Sequence, residues 1–117
     1  MHNQSYEITT EKVGDVTVVH FVGDQIMSEL QVQELGKKLK QLIEGGCEKV
    51  VVNFRKIEFM SSAFLGKLIT LQKIVDARFG NMVFCRIRPE IYEVFAITKL
   101  NKLFSIKDEE VDALAAM

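Results

Sequence analysis

Cysteine, proline, histidine and tryptophan are scarce in this chain of 117 residues, which has two cysteines, one proline, two histidines and no tryptophan. Cys47 and Cys85 do not form a CxxC pair, so neither a disulfide framework nor a zinc site is indicated. No tract rich in proline, glycine or serine divides the chain, and its length suits one domain. We therefore expect a single domain over residues 1–117.

Excess charge of either sign and long apolar runs are also absent. Fifteen lysines and arginines face sixteen acidic residues, and no basic run exceeds two residues. This excludes a strong general affinity for nucleic acid or for anionic membranes. Charges such as Glu58 and Lys67 interrupt the apolar stretches, so no transmembrane helix of ~20 residues is predicted. Residues 1–12 lack the features of a secretory signal, which predicts a cytoplasmic protein without membrane insertion.

Hydrophobic periodicity and turn residues predict the order β-β-α-β-α-β-α-β-α. Two β-prone runs flank a Gly14-Asp15 turn, as in an antiparallel hairpin. Ser28 with Gln31 has the spacing of a capping box and opens a helix that Gly45-Gly46 ends. The later elements are a strand at Val50–Phe54, a helix from about Ser62 to Arg78, a strand at Met82–Ile87, a helix at Pro89–Ile97, a strand at Phe104–Ile106 and a helix from Asp108. We expect an α/β fold with a mixed sheet of four to five strands and helices packed on it.

Catalytic and cofactor-binding motifs are missing from the sequence. A triad of Ser62, His20 and Asp24 can be written, but no GxSxG nucleophile elbow accompanies it. Neither GxxxxGK[ST] nor GxGxxG occurs, and metal ligands at i, i+4 spacing are lacking. We interpret His20 as a structural residue of a strand and Cys85 as a buried apolar one. The sequence predicts a protein that is not an enzyme and uses no cofactor or metal.

Two adjacent serines, Ser61 and Ser62, mark the junction between a predicted buried strand and the second helix. One interpretation is that a serine hydroxyl only caps the helix by accepting a backbone N–H bond. The other is that the junction is a phosphorylation site. The N-terminus of a helix carries partial positive charge and unpaired N–H groups, so it accommodates an added phosphate. Phosphorylation there would change the surface charge without a catalytic residue in this chain.

The residues around these serines resemble the central motif of STAS domains, especially of bacterial anti-sigma factor antagonists. That family motif consists of a strand, a connector, the string Phe-Met-Asp-Ser-Ser-Gly-Leu-Gly, and a helix. In this chain Val50–Phe54 is followed by Phe59-Met60-Ser61-Ser62-Ala63-Phe64-Leu65-Gly66. The preceding hairpin ends at Gly23-Asp24, and the strand that begins at Met82 precedes a helix containing proline, as in the family. The resemblance spans nearly the whole chain.

This resemblance implies a regulatory binding module. Family antagonists bind an anti-sigma factor that is also a serine kinase, and a serine phosphatase reverses the phosphorylation. The implied phosphorylation site is Ser62, and Ser61 is the second candidate. Together with the apolar stripe of the second helix, the resemblance predicts a partner-binding surface. Its expected members are Gly23, Asp24, Gln25, Ile26, Ser61, Ala63, Phe64, Leu65 and Leu68.

Three positions differ from the family pattern. Ser61 replaces the motif aspartate, Phe64 replaces the glycine, and Ile26 stands where an aspartate is expected in the loop. Phe64 is either an anchor for the partner or a core residue. The alternative function is a STAS interaction subunit, without serine phosphorylation, of a stress-signalling scaffold or of a lipid or anion transport system.

Overall fold

Five strands form one mixed sheet at the centre of the molecule. A computed structural model describes residues 5–117, and residues 1–4 of the expected domain lie outside this range. The order across the sheet is β1-β2-β4-β6-β7, in which β1 and β2 are antiparallel and the other neighbours are parallel. These strands are β1 (Ile8–Val13), β2 (Val16–Phe21), β4 (Lys49–Asn53), β6 (Asn81–Cys85) and β7 (Ser105–Lys107).

Four helices and a second, very small sheet complete the fold. The helices are α1 (Glu29–Glu44), α2 (Ser62–Ala77), α3 (Pro89–Ile97) and α4 (Glu110–Ala115), and a 3-10 turn spans Leu100–Lys102. The small sheet pairs β3 (Gln25–Ile26) with β5 (Phe59–Met60) in parallel. The nine predicted elements occur in the predicted order, which confirms the α/β class. The two strands of the small sheet and the 3-10 turn were not predicted, because two or three residues carry no periodicity.

Alternate residues of the central strands serve two separate cores. The larger core packs residues such as Val52 of β4 and Phe84 of β6 against α1, α2 and α3. The smaller core packs Val51, Val83 and Cys85 against Ala113 of α4. Successive side chains of a strand point to opposite faces, so the continuous apolar runs predict this two-sided burial.

Within residues 5–117, no helix is long and apolar enough to cross a bilayer.

Backbone dihedral angles and hydrogen bonds explain why three element ends differ from the predicted ones. Strand β6 ends at Cys85 rather than Ile87, because Arg86 has a left-handed φ of 58° that breaks the extended backbone. The amide of Phe104 donates to the carbonyl of Leu100, so this residue belongs to the preceding turn rather than to β7. The carbonyl of Asp108 accepts from the amide of Arg86, and α4 therefore starts two residues later than predicted.

The C-terminus of α2 combines an unfavourable residue with an obligatory glycine. Phe79 adopts a φ of 57° and is 97% exposed, so a bulky side chain occupies a conformation that favours glycine. The amides of Phe79 and Gly80 donate to the carbonyls of Asp76 and Val75, the bonding of a Schellman motif. A Cβ atom at Gly80 would lie 2.6 Å from the carbonyl oxygen of Glu48. Only the second of these positions requires glycine for packing.

We predict opposite effects for substitutions at these two neighbours. Phe79→Gly relieves left-handed strain without uncovering a cavity, so it should raise the free energy of unfolding by ~0.5–1 kcal/mol. Gly80→Ala should lower it by ~1–3 kcal/mol, because its methyl group overlaps a backbone oxygen. Urea denaturation followed by circular dichroism measures both changes. A loss of stability in Phe79→Gly would show that the exposed ring packs against the protein.

Candidate functional site

Ser61 caps the N-terminus of α2. Its backbone is extended, with φ −69° and ψ 143°, and its hydroxyl accepts a hydrogen bond of 3.1 Å from the amide of Ala63. This is the bonding expected of an N-cap serine. The capping interpretation is therefore correct for Ser61, and the helix starts one residue after it.

Ser62 occupies the first helical position and is exposed. Its hydroxyl makes no hydrogen bond to any other group within residues 5–117, whereas the hydroxyl of Ser61 is engaged in the cap. The first turn of α2 also contains no acidic residue. The two adjacent serines therefore differ: one stabilises the helix and the other presents an accessible hydroxyl at its positive end.

The small sheet holds a second loop against this junction. Gln25 pairs with Phe59 and Ile26 pairs with Met60. The ladder continues on both sides. The amide of Glu58 donates to the carbonyl of Asp24 over 2.7 Å, and the amide of Ser61 donates to the carbonyl of Ile26 over 2.8 Å. Residues from two separate predicted parts of the site, 24–26 and 61, are thus directly hydrogen-bonded.

Gln31 fixes the geometry of this loop from the interior. Its side chain is fully buried; its amide nitrogen donates to the carbonyl of Gln25 over 2.6 Å and its oxygen accepts from the amide of Met27 over 2.9 Å. The same nitrogen also donates to the carbonyl of Ser5. The predicted capping bond is present, since the amide of Gln31 donates to the hydroxyl of Ser28 over 3.1 Å. The sequence predicted the cap but not the role of Gln31 in holding the loop.

Several predicted partner-binding residues are buried and cannot present their side chains to a partner. Phe64 is fully buried and packs against Phe21, with ring centroids 6.2 Å apart, so of its two interpretations the structure supports the core one. Leu68 is fully buried as well, so the prediction that the side chains of Phe64 and Leu68 contact a partner is wrong. The other buried members of the predicted surface are Gly23, Gln25, Ile26 and Leu65. The apolar stripe of α2 is wide because the helix packs against both the sheet and α1.

Three apolar residues outside the nine predicted partner-binding residues are exposed around the junction, and one of them, Met27, ends the loop Gly23–Met27 that was predicted to dock the partner. Met27 follows β3, Leu30 lies in the first turn of α1, and Phe59 belongs to β5. Their exposed fractions are 50%, 54% and 47%, respectively. We call these three residues the apolar patch. It could have been found only by knowing that β3 and β5 pair, because the three residues come from separate segments.

Comparison with known proteins identifies the fold and the family. The family model described as "STAS domain" matches residues 7–113. The chain belongs to the STAS domain family. An anti-sigma F factor antagonist of Paenibacillus polymyxa is 30% identical over 71 residues, which are 61% of this chain and 61% of that protein. The chain thus aligns with less than two thirds of that relative's length.

Solved structures of antagonists have the same fold. An anti-sigma-factor antagonist (STAS) domain protein from Planctomyces limnophilus superposes with a TM-score of 0.79 at 22% identity, covering 93% of this chain and 95% of that one. The Bacillus cell fate determinant SpoIIAA in its phosphorylated form gives 0.69 at 18% identity, covering 95% and 100%. STAS antagonists are regulatory binding proteins, so family membership confirms that this chain is not an enzyme.

A histidine and two glutamates meet on the sheet of this STAS domain, away from any predicted site. The Nε2 atom of His20 lies 3.4 Å from an oxygen of Glu11 and 3.6 Å from an oxygen of Glu110. The buried Asn53 donates to the same Glu110 oxygen over 2.9 Å. The three donor groups could hold a metal ion, although they come from three elements and have no sequence spacing in common. A triad of Ser62, His20 and Asp24, for which the sequence offers no nucleophile elbow, has no support here either, because the contacts of His20 are with Glu11 and Glu110.

Cys85 is buried in the smaller core, as the sequence predicted. Burial disfavours its thiolate and the charge of Glu110 adds to this effect, so the pKa of the Cys85 thiol rises from 9.0 to about 12. Because unfolding restores the ordinary pKa, the associated stability is complete below pH 9 and is lost as the pH rises toward 12. Cys47 is only half-buried and accepts a hydrogen bond from Thr17.

We predict that thiol reagents distinguish the two cysteines. In the native protein at pH 8, 5,5′-dithiobis(2-nitrobenzoic acid) should modify Cys47 and leave Cys85 intact, since reaction requires an accessible thiolate. Absorbance at 412 nm should report one thiol before and two after addition of guanidinium chloride. Fast modification of both thiols in the native state would contradict the buried position of Cys85.

Replacement of Gln31 should loosen the loop next to Ser61. Gln31→Met keeps a similar volume but leaves the carbonyl of Gln25 and the amide of Met27 without partners, which should cost ~2–3 kcal/mol of folding free energy. Hydrogen exchange of the Ser61 amide, which donates to Ile26, should become faster in this variant. Gln33→Met is the matched control, because Gln33 is exposed and its side chain hydrogen-bonds only to Glu29 within the described residues. Equal exchange in the two variants would show that Gln31 does not hold the loop.

Proposed function

We propose that this STAS domain is a cytoplasmic anti-sigma factor antagonist whose binding is switched off by phosphorylation of Ser62. Its partner would be an anti-sigma factor with serine kinase activity, and a serine phosphatase would restore the binding form. The observation that carries this proposal is the difference between the two serines. Ser61 uses its hydroxyl to cap α2, while the hydroxyl of Ser62 is exposed and makes no hydrogen bond within residues 5–117.

The electrostatics of the junction favour a phosphate on Ser62. A phosphate brings about −1.5 to −2 charges, and the N-terminus of a helix offers partial positive charge and free N–H groups. No acidic residue of the first turn of α2 opposes it. Replacement of the family aspartate by Ser61 removes one further negative charge beside the acceptor. The phosphorylated protein should therefore keep its fold.

The apolar patch explains how the same phosphate would prevent binding. A partner that covers Met27, Leu30 and Phe59 removes water from the neighbouring serine. A dianion at Ser62 would then lose its hydration without gaining a counter-charge, which is costly. We infer that the contact surface consists of this patch together with exposed Ala63 and the backbone around Asp24, whereas Phe64 and Leu68 support it from the core.

The comparisons support the antagonist assignment without extending to the residue that is modified. The Paenibacillus relative is named an antagonist of an anti-sigma F factor, and SpoIIAA has been solved in a phosphorylated form. Both statements concern those proteins. For the present chain, they make serine phosphorylation the first property to test.

We predict that phosphorylation occurs on Ser62 and not on Ser61. The purified chain is incubated with ATP and an extract of its source organism, and phosphopeptides are mapped by mass spectrometry. Ser61→Ala should still be modified, since Ser62 remains at the helix N-terminus, while Ser62→Ala should not. Phosphate only on Ser61, or on neither serine, would contradict the proposal.

A partner lacking kinase activity and belonging to a transport system would favour the alternative function instead.

The apolar patch gives a second prediction, with a control inside the same protein. Phe59→Asp should weaken binding of the anti-sigma partner by ~2 kcal/mol or more, the effect of losing an interface anchor. Phe79→Asp introduces the same charge at an exposed phenylalanine at the opposite end of α2 and should leave the affinity unchanged. Titration calorimetry with the captured partner compares the two. Equal affinities of both variants would exclude the patch as the contact surface.

A further inference from the structure

A cleft at the edge of the central sheet lies outside the surface proposed to bind a protein. Its volume is about 690 Å³, and it lies where β4, β6 and β7 end and α3 begins. The carboxyl ends of parallel strands are the usual place for ligand crevices in α/β sheets. The volume is within the range of about 300–1,000 Å³ typical of small-molecule sites.

Four cationic side chains from four positions in the chain converge on this cleft. Arg55 follows β4, Arg86 follows β6, Arg88 precedes α3, and Lys107 ends β7; Asp108 is the only acidic residue of the lining. This local excess of positive charge stands out in a chain with a formal net charge of −1. Only Arg86 and Arg88 are close in sequence, and Ile87 separates them, so no basic run indicates this cluster.

Two of these cations make no ion pair among the described residues. These are Arg55 and Lys107, whereas Arg86 and Arg88 each lie near a glutamate. Arg88 lies 3.8 Å from Glu58, at the limit of ion-pair distance. Within the described residues, Glu58 and Glu109 pair with Arg88 and Arg86, so the positive charge that no ion pair offsets comes from Arg55 and Lys107.

Arg86 is held in place by the fold. Its Nη1 atom donates to both oxygens of Glu109 over 2.8 and 3.1 Å, and its amide donates to the carbonyl of Asp108 over 3.1 Å. Its remaining guanidinium nitrogens make no hydrogen bond within the described residues. A fixed guanidinium with unused donors suits the oxygens of a phosphate group, which accept paired N–H bonds.

The wall of the cleft adds an apolar surface beside the charges. Tyr92 is 39% exposed, and the half-buried Ile87 and Ile106 line the same space. No side chain caps the N-terminus of α3 at Arg88. Phosphate oxygens and an adjoining apolar moiety would thus each meet a suitable part of the cleft.

We propose that this cleft binds a small phosphate ester, with Arg55, Arg86, Arg88 and Lys107 contacting the phosphate oxygens. The ligand is a phosphorylated small molecule rather than a protein, because the cations line a concave space and not an open face. Glu58 connects the cleft to the segment that precedes β5, so a ligand that draws Arg88 away from Glu58 would act next to the partner surface. The binding itself does not depend on the phosphorylation of Ser62.

Inorganic pyrophosphate is the probe for this site. In titrations followed by nuclear magnetic resonance at 0.15 M salt, we expect saturable binding with a Kd of about 1 mM or below. The shifted amides should be those of Arg55 and of residues 86–88, 90–92 and 106–108. Sulfate should bind at least about tenfold more weakly, because it offers fewer charges and fewer oxygens to the four cations. Shifts spread over the surface, or binding of sulfate equal to that of pyrophosphate, would overturn the proposal.

Matched variants locate the binding. Arg55→Gln and Lys107→Gln each remove one exposed cation that makes no ion pair among the described residues, so each should raise the Kd for pyrophosphate by about tenfold. Lys40→Gln removes an exposed lysine of α1 and should leave it unchanged. Circular dichroism melts confirm that the three variants fold alike. An equal loss in Lys40→Gln, or no loss in the two cleft variants, would show nonspecific attraction only.

Discussion

The structure around the two serines depends on the parallel pairing of two very short strands, β3 and β5. Two residue pairs between these strands, with one further backbone hydrogen bond on each side, bring the loop after the hairpin against the N-terminus of α2. Strands of two residues have little stability of their own, and here hydrogen bonds from a buried glutamine stabilise them. Gln31 accepts from Met27 and donates to Gln25, which fixes the loop on one side while the ladder fixes it on the other. The position of Ser62 relative to Met27 and Phe59 follows from these bonds.

This arrangement separates the residues that stabilise the fold from the residue that we propose to be regulated. Phe64 and Leu68 serve the core, where Phe64 contacts Phe21, and Ser61 serves the helix cap. The hydroxyl of Ser62 makes no hydrogen bond within the described residues, so a phosphate added to it should disturb the fold little. The neighbouring apolar patch is about half exposed, and we propose it as the contact surface for a partner. A switch works best when its two states share one fold, and the junction meets that condition.

Much of the fold could be predicted from the sequence, because its physical causes are local. Apolar runs at Val50 and Met82 indicate buried parallel strands, and Ser28 with Gln31 indicates the start of α1. The candidate site was predicted only in part. The serines and the loop at Asp24 follow from the family motif, but burial of Phe64 depends on packing against a distant strand. Three features join residues from separate elements: the apolar patch, the group of His20 with Glu11 and Glu110, and the cleft lined by four cations. No spacing along the chain encodes such juxtapositions.

The central claim is that a phosphate on Ser62 abolishes binding while leaving the fold intact. Its most direct test compares two forms of the protein: the unmodified chain, and a chain carrying phosphoserine at position 62 that is prepared by genetic incorporation. Each form is titrated with the anti-sigma partner, and the free energy of unfolding of each form is measured. The account predicts a loss of affinity of at least about tenfold, or ~1.4 kcal/mol, with unfolding free energies equal to within ~0.5 kcal/mol. Equal affinities, or a loss of affinity that merely accompanies unfolding, would contradict it.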